Sequence, residues 1–216
     1  MNINWHGFSC FEIQMKTPNG EATVIIDPYQ GTTGLRFPRT LEGEMVLMTH
    51  DDEDSNNIAA VAGQPYVVDL PGEFEVKDIF IFGIRAPLKR TDKKGPIEHR
   101  IFRIEAEGMR VAHLGALDRE LSDEELRLLS HVDILMVPVG GNRVLSSKLA
   151  LEVIGQIEPR VVIPMTYDVT GVKESLASVD EFCKQLGTTR QEEANKYKVA
   201  KKDLPEEDML VVTLTR

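Results

Sequence analysis

The sequence predicts an α/β fold in which β-sheets pack on each other and helices cover the outside. In the first half of the 216-residue chain, short runs rich in apolar and β-branched residues outnumber the helical patterns. In the second half, such runs alternate with amphipathic helical patterns, which is typical of sheets covered by helices. No stretch has the composition of a linker. We therefore expect a single domain over residues 1–216.

The predicted strands begin with a β-hairpin. Apolar and polar residues alternate over residues 3–15, the turn sequence TPNG follows, and a second apolar run ends at Asp27 and Pro28. Later runs of the same kind are bounded mostly by Gly, Pro or Asp and predict further strands. They cover residues 44–49, 65–70, 74–84, 99–115, 132–139, 160–167 and 209–215.

Helical signals lie mainly between the later strands. Ser122 and Glu125 have the spacing of a capping box at the start of residues 121–132. A second helix is predicted within residues 146–159 and ends at Pro159. A third, within residues 178–187, ends at Gly187. Residues 55–63 form a shorter candidate helix.

The composition argues against several classes of partner. A net charge of −10 opposes nonspecific binding to nucleic acid or to an anionic membrane, and no apolar run is long enough to span a bilayer. The N-terminus lacks the pattern of a secretory signal. Cys10 and Cys183 are far apart in the sequence, which indicates a reducing compartment. We expect a cytoplasmic protein that binds neither nucleic acid nor membranes.

The stretch MTHDDEDSNN, residues 48–57, has two interpretations. His50, Asp52 and Asp54 are competent metal ligands, and alternate residues on an irregular loop after a strand can converge on one ion. However, Asp54, Ser55 and Asn56 are also typical of a helix N-terminus, where their side-chain oxygens accept backbone N–H groups. Both interpretations remain open from these residues alone.

Other candidate residues have weaker signals. His113 ends a predicted strand before Gly115, which suits a functional site or a structural hydrogen bond. His6 and His99 lie on or beside strands, and for both we favour a structural role. Cys10 lies within an alternating strand and is predicted to be a buried, inert thiol.

The order of several motifs resembles the metallo-β-lactamase superfamily. They are WHGFSCFEI, IIDP, THDDEDSNN, PGEFEV, VAHLGALD, VDILMVPVGG and QIEPRVVIPMTY. The similarity is to its small bacterial and archaeal Zn-dependent hydrolases, a branch related to the L-ascorbate-6-phosphate lactonase type. The resemblance implies a four-layer αββα sandwich, with the site at the edge where the loops of the two sheets meet.

The same resemblance implies a two-metal site, and His50 and Asp54 match its ligand positions. At six further positions this chain has a residue other than the expected ligand: Phe8, Asp52, Ser55, Leu88, Ala116 and Thr166. Our leading hypothesis is therefore a degenerate metal site without a metal cofactor. It predicts a protein that lacks hydrolase activity and binds a small molecule or another protein.

Two alternatives remain. In the first, the chain is a hydrolase in which His50, Asp52 and His113 hold one divalent ion, zinc, manganese or iron, and Asp54 is the general base. The resemblance implies a lactone or phosphoester-like substrate for such an enzyme. In the second, the chain is a structural subunit of a homo-oligomer.

Overall fold

The computed structural model describes residues 1–93, 95–187 and 191–216, with the backbone alone for residues 191–193. In chain order, the strands are β1 (Asn2–Gly7), β2 (Cys10–Thr17), β3 (Gly20–Ile26), β4 (Met45–Leu47), β5 (Tyr66–Val68), β6 (Gly72–Val76), β7 (Ile79–Arg85), β8 (Thr91–Asp92), β9 (Gly95–Pro96), β10 (Arg100–Ala106), β11 (Met109–His113), β12 (Ile134–Pro138), β13 (Val161–Met165), β14 (Gln191–Ala194), β15 (Tyr197–Lys198) and β16 (Leu210–Leu214). The helices are α1 (Asp123–Leu128), α2 (Ser147–Ile157) and α3 (Val179–Leu186). Short 3-10 turns lie at Gly31–Thr33, Ile58–Ala60 and Lys201–Asp203.

Two large mixed sheets contain these strands, apart from the small β8–β9 hairpin. The first has the strand order β15-β1-β2-β3-β4-β5, and the second has the order β14-β16-β13-β12-β11-β10-β7-β6. In the first sheet β1, β2 and β3 pair antiparallel, whereas β4 pairs parallel with β3 and β5. In the second, β11, β12, β13 and β16 form a parallel series. The parallel portions therefore direct the carboxyl ends of several strands toward one edge.

The two sheets pack face to face. One cluster of buried side chains contains residues from both sheets, among them Trp5 and Ile13 from the first and Phe102 and Val111 from the second. Burial of this apolar surface is the main favourable contribution to folding. The predicted α/β sandwich is confirmed.

The outer faces of the two sheets are covered differently. Helix α2 packs against β12 and α3 on the second sheet. On the first sheet a separate apolar cluster joins Cys10, Ile25 and Val46 to Tyr29 and Leu35. The latter two belong to the segment between β3 and β4, so a loop with a 3-10 turn covers this sheet.

Most predicted elements are confirmed. Strands β2 and β3 form the expected hairpin, with Thr17 opposite Gly20. Helix α1 begins with the capping box of Ser122 and Glu125, and Gly187 ends α3 in a left-handed conformation with φ 65°.

The helix predicted at residues 55–63 is wrong. The segment forms only the 3-10 turn Ile58–Ala60, because its polar side chains bind neighbouring loops instead of capping a helix. The backbone N–H of Asn57 donates to the carbonyl of Pro28 at 2.7 Å, and its side-chain amide donates to the carbonyl of Tyr29 at 2.9 Å. Asp54, the acidic residue directly before this segment, therefore does not cap a helix and instead pairs with His50 and Arg143.

The carboxyl ends of β4 and β13 meet the opposite sheet at one edge. The carbonyl of Thr49, after β4, accepts the N–H of Arg100 at 2.8 Å. The N–H of Thr166, after β13, donates to the carbonyl of Phe8 in the β1–β2 turn at 3.0 Å. Ligand sites of α/β proteins commonly lie at such an edge. In the part of the chain that the structure describes, no helix is long and apolar enough to cross a membrane.

Candidate metal centre

Three potential metal ligands lie together directly after β4. His50, Asp52 and Asp54 each offer one ligand atom, and these atoms all lie within 4.8 Å of one another. His50 is fully buried, Asp54 is 5% exposed, and Asp52 is exposed. The group therefore extends from the edge of the core to the surface.

A hydrogen-bond chain fixes the orientation of His50. Asp27, directly after β3, is buried and accepts the backbone N–H and the hydroxyl of Thr49, both at 2.7 Å. Because this hydroxyl donates its proton to Asp27, it accepts a proton from Nδ1 of His50, 2.9 Å away. The proton on Nδ1 leaves Nε2 as the ligand atom. Hydrogen bonds of this kind typically orient metal-binding histidines.

Asp54 lies between two cationic partners. Its Oδ1 atom is 3.0 Å from Nε2 of His50, and its Oδ2 atom forms an ion pair with Nη2 of Arg143 at 2.7 Å. Arg143 follows β12 and also donates through Nε to Glu174, at 2.7 Å from Oε2. The Asp54 carboxylate is therefore held from both sides.

These contacts shift the pKa values of the group. Burial alone would lower the pKa of His50, but the Asp54 carboxylate outweighs it and raises this pKa above its ordinary value. Burial would raise the pKa of Asp54, but His50 and Arg143 hold it well below the usual range. For Asp27, burial dominates and raises the pKa to about 6, although Thr49 and His50 oppose the shift. Asp54 is therefore a stable carboxylate that accepts protons poorly.

His113 and His99 lie near the same edge but have different environments. Nε2 of His113 is hydrogen-bonded to the carbonyl of Ser9 at 2.9 Å, and Nδ1 accepts the N–H of Gly115 at 3.2 Å. For His99, Nδ1 is bonded to the carbonyl of Ala86 at 3.0 Å, and Nε2 accepts an N–H at 3.1 Å. Burial lowers the pKa of His113 to about 4 and that of His99 well below its ordinary value. Backbone groups are hydrogen-bonded to their ring nitrogens, and both histidines lie outside the group formed by His50, Asp52 and Asp54. The ligand role of His113 in our first alternative stays a prediction.

The residues at the six substituted positions have different surroundings in the structure. Only Asp52 belongs to the group of potential ligands. The hydroxyl of Ser55 donates to the carbonyl of His50, so it supports the loop. The others are buried side chains that line or stabilise the edge without offering a metal ligand: Phe8, Leu88, Ala116 and Thr166.

The group borders a cleft of about 320 Å³. Its lining includes an aromatic side chain, a hydroxyl, four carboxylates and two cations. They are Phe8, Thr33, Asp52, Glu53, Asp54, Arg143, Lys173 and Glu174. A small molecule could therefore reach Asp52 and Asp54 from solvent, while His50 lies behind them in the core.

Sequence patterns alone missed Asp27, Arg143 and Glu174. Asp27 lies in the IIDP motif at the end of β3, which is a recognisable position for a functional carboxylate. Arg143 directly follows the turn sequence GGN, and Glu174 lies on a long loop after β13. Only the packing of the two sheets brings these loops to the His50 segment.

The donor set fits a divalent ion. One imidazole nitrogen and two carboxylates suit zinc, manganese or iron(II). Two ligands of one such ion lie about 3.0–3.4 Å apart when each is about 2.1 Å from it. The separation of 3.0 Å between His50 Nε2 and Asp54 Oδ1 agrees with this spacing.

Comparison with known proteins identifies relatives, some of which are named as metal-dependent hydrolases. The family model described as a beta-lactamase superfamily domain matches residues 2–166. A UPF0173 protein of Pyrococcus abyssi is 27% identical over 194 residues, covering 79% of this chain and 85% of its own. A UPF0173 metal-dependent hydrolase of Thermococcus onnurineus is 24% identical over 217 residues, covering 87% of this chain and 92% of its own.

The prediction that this chain has no metal cofactor is wrong. Relatives bear the name metal-dependent hydrolase, and three potential ligands converge in the structure. The prediction gave more weight to the substituted histidine positions than to His50, Asp52 and Asp54, which are competent ligands for one ion. The hypothesis of a degenerate site without hydrolase activity is likewise unsupported, and these findings favour the hydrolase alternative.

A solved structure extends the similarity over the full chain. The crystal structure of a Thermotoga maritima protein, assigned to the Zn-dependent hydrolases of the metallo-β-lactamase superfamily, matches with a TM-score of 0.80 and 28% identity. The match covers 100% of this chain and 99% of that one. Together with the family model, which matches more than half of the residues, this assigns the fold and the descent. The chain belongs to the metallo-β-lactamase superfamily.

Proposed function

We infer that the protein is a metal-dependent hydrolase that uses one divalent ion held by His50, Asp52 and Asp54. The observation that carries this proposal is the convergence of these ligand atoms within 4.8 Å beside an open cleft. Relatives are named metal-dependent hydrolases, which supports hydrolysis as the reaction class. A lactone or a phosphoester-like compound is the substrate class that we propose.

Each residue has a role that follows from its surroundings. His50 offers Nε2, because Thr49 and Asp27 direct its Nδ1 proton inward. Asp54 offers Oδ1 as a ligand, and its lowered pKa makes it a poor general base. A divalent ion at this position supplies Lewis-acid chemistry and lowers the pKa of water.

Arg143 supports a single ion. Its guanidinium forms an ion pair with Oδ2 of Asp54 at 2.7 Å, so a second cation on that oxygen would meet the positive charge of Arg143. The guanidinium also donates a hydrogen bond to the Glu174 carboxylate. We therefore expect one equivalent of metal per chain rather than two.

Metal analysis tests the proposal. Purified, untagged protein is incubated with zinc, manganese or iron(II) and desalted, and bound metal is measured by elemental analysis. We expect about one equivalent, and we expect Asp54→Asn to weaken binding by about 100-fold because it removes a charged ligand. His6→Ala is the matched control for His50→Ala, because His6 contacts Glu12 and is not a member of the donor group.

Activity is then screened on the loaded protein with panels of lactones and phosphoesters. We expect hydrolysis that disappears in Asp54→Asn and His50→Ala and persists in His6→Ala. Metal far below one equivalent in the wild type, or metal content that is the same in His50→Ala and in the wild type, would contradict the proposal.

A further inference from the structure

The cleft beside the donor group is lined by two cations, which cannot themselves be metal ligands. Arg143 and Lys173 both line it, and they lie on different loops, after β12 and after β13. The lining also includes four carboxylates, so these two cations are the groups in the cleft that can attract an anion. Their contacts show how much of their charge the protein itself uses.

Arg143 has hydrogen-bonding capacity left over. Its Nε donates to Glu174 and its Nη2 pairs with Asp54. Its Nη1 is buried and has no acceptor among the described residues. Nη2 of Arg90 is also buried without an acceptor among the described residues. Nη1 of Arg90 donates to the carbonyl of Arg143. Arg90, which does not line the cleft, therefore contacts Arg143, and each of the two guanidinium groups has an unused donor. Unpaired buried donors destabilise a fold unless water or a ligand uses them.

Lys173 has no internal carboxylate partner among the residues that the structure describes. Its ammonium group donates to the carbonyl of Thr32 at 3.1 Å, and its side chain is exposed. A carbonyl leaves the positive charge of the ammonium group uncompensated. Lys173 immediately precedes Glu174, so the two residues place opposite charges next to each other on the cleft wall.

We propose that Arg143 and Lys173 bind an anionic group of the substrate, a carboxylate or a phosphate, beside the metal donors. Guanidinium and ammonium groups are the usual protein partners of these anions, and such charge-assisted hydrogen bonds are strong. The Glu174 carboxylate competes with the substrate anion for Arg143, because both accept hydrogen bonds from the same guanidinium. This inference rests on the proposed function, since it names the substrate class of the same site.

Substitutions of the neighbouring residues Lys173 and Glu174 should change the affinity for an anion in opposite directions. Metal-loaded, desalted protein is titrated with inorganic phosphate and, separately, with acetate in a calorimeter. Lys173→Gln should weaken anion binding by about fivefold, because it removes an uncompensated positive charge. Glu174→Gln should tighten it by about as much, because it frees Arg143 and removes a negative charge. Lys184→Gln, at an exposed lysine of α3 outside the cleft, should change it by less than about twofold.

The outcomes separate this inference from the proposed function. Metal content is measured in every sample, and the same titrations are repeated on chelator-treated protein. Absence of metal in the wild type would contradict the hydrolase proposal, while opposite effects of Lys173→Gln and Glu174→Gln on chelator-treated protein would still support the anion site. Binding of neither anion, equal effects of Lys173→Gln and Lys184→Gln, or weaker binding in Glu174→Gln would overturn the inference. Tighter binding of phosphate than of acetate would indicate a phosphoester substrate, and the reverse would indicate a carboxylate.

Discussion

Two arginine–carboxylate clusters in this molecule have similar distances and different surroundings. Arg119 forms a bidentate pair with Glu125 at the start of α1, at 2.6 and 2.9 Å. Arg143 forms its pairs with Asp54 and Glu174, both at 2.7 Å. The first cluster joins a helix cap to a loop, and the second lies against the potential ligands of a metal.

The difference lies in which donors are used. Arg119 donates through Nε to the carbonyl of Pro87 and through Nη1 to the carbonyl of Glu120, in addition to its contacts with Glu125. Every nitrogen of this guanidinium therefore has a protein acceptor, whereas Nη1 of Arg143 has none among the described residues. The Arg119 pair thus satisfies its own donors, while the Arg143 cluster retains donor capacity that a ligand could use.

The largest expected effect comes from removing each arginine in turn. Arg143→Gln should destabilise the metal-free protein by about 3–5 kcal/mol, because the buried Asp54 keeps only His50 as a counter-charge and the partly buried Glu174 loses its arginine partner. Arg119→Gln should cost about 1–3 kcal/mol, the usual effect of unpairing a partly buried carboxylate. Both values are measured by urea unfolding after chelation.

Adding a divalent metal sharpens the comparison. An ion at Asp54 would replace part of the missing positive charge, so metal should raise the melting temperature of Arg143→Gln more than that of the wild type. Arg119→Gln should gain as much as the wild type. Equal gains in all three proteins would show that Arg143 and the metal do not act on a shared carboxylate.

The sequence predicted the sandwich and its helices better than it predicted the site. The capping box of Ser122 and Glu125 and the hairpin turn at Thr17 and Gly20 are local patterns, and local hydrogen bonds suffice to form them. The same local reasoning failed at residues 55–63, because Asn57 binds a loop 28 residues earlier in the chain.

The site was harder to predict because its contacts are distant in sequence. His50, Asp52 and Asp54 were identified as candidate ligands from one loop, since they are close in sequence. Arg143 reaches Asp54, and Glu174 reaches Arg143, only when β4, β12 and β13 end at the same edge. His113 was chosen as a ligand from its position at a strand end, but the carbonyl of Ser9, 104 residues away, occupies its Nε2.

An intermediate effect is expected at Thr49, which has no analogue in the Arg119 cluster. Thr49→Val keeps the shape of the side chain and removes the hydroxyl that links Asp27 to Nδ1 of His50. We expect metal affinity to fall by about tenfold, because the imidazole loses the bond that fixes its orientation. Thr49→Ser restores the hydroxyl and should bind metal nearly as well as the wild type. Competition with a chromogenic chelator measures these affinities, and equal loss in both variants would attribute the effect to packing.

The smallest expected effect is a difference in pH dependence between the two clusters. At Glu125, burial opposes ionisation, but Arg119 and Ser122 outweigh it and lower the pKa. Its contribution to stability is therefore present above the unfolded-state pKa of about 4.3 and is lost as the pH falls through the folded-state pKa. His50 has a raised pKa despite its burial, because of Asp54. Its contribution is complete below the unfolded-state pKa of about 6.5 and is lost as the pH rises through the folded-state value.

Variants at these two residues should therefore change opposite limbs of the stability profile of the metal-free protein. Glu125→Gln should reduce the loss of stability below about pH 4, and His50→Gln should reduce the loss above about pH 6.5, each by about 1 kcal/mol. Urea unfolding at a series of pH values measures both limbs. If His50→Gln changed the acidic limb alone, the pair of His50 and Asp54 would not hold the imidazole in its charged form, and the distinction between the two clusters would then rest on the unused donors of Arg143.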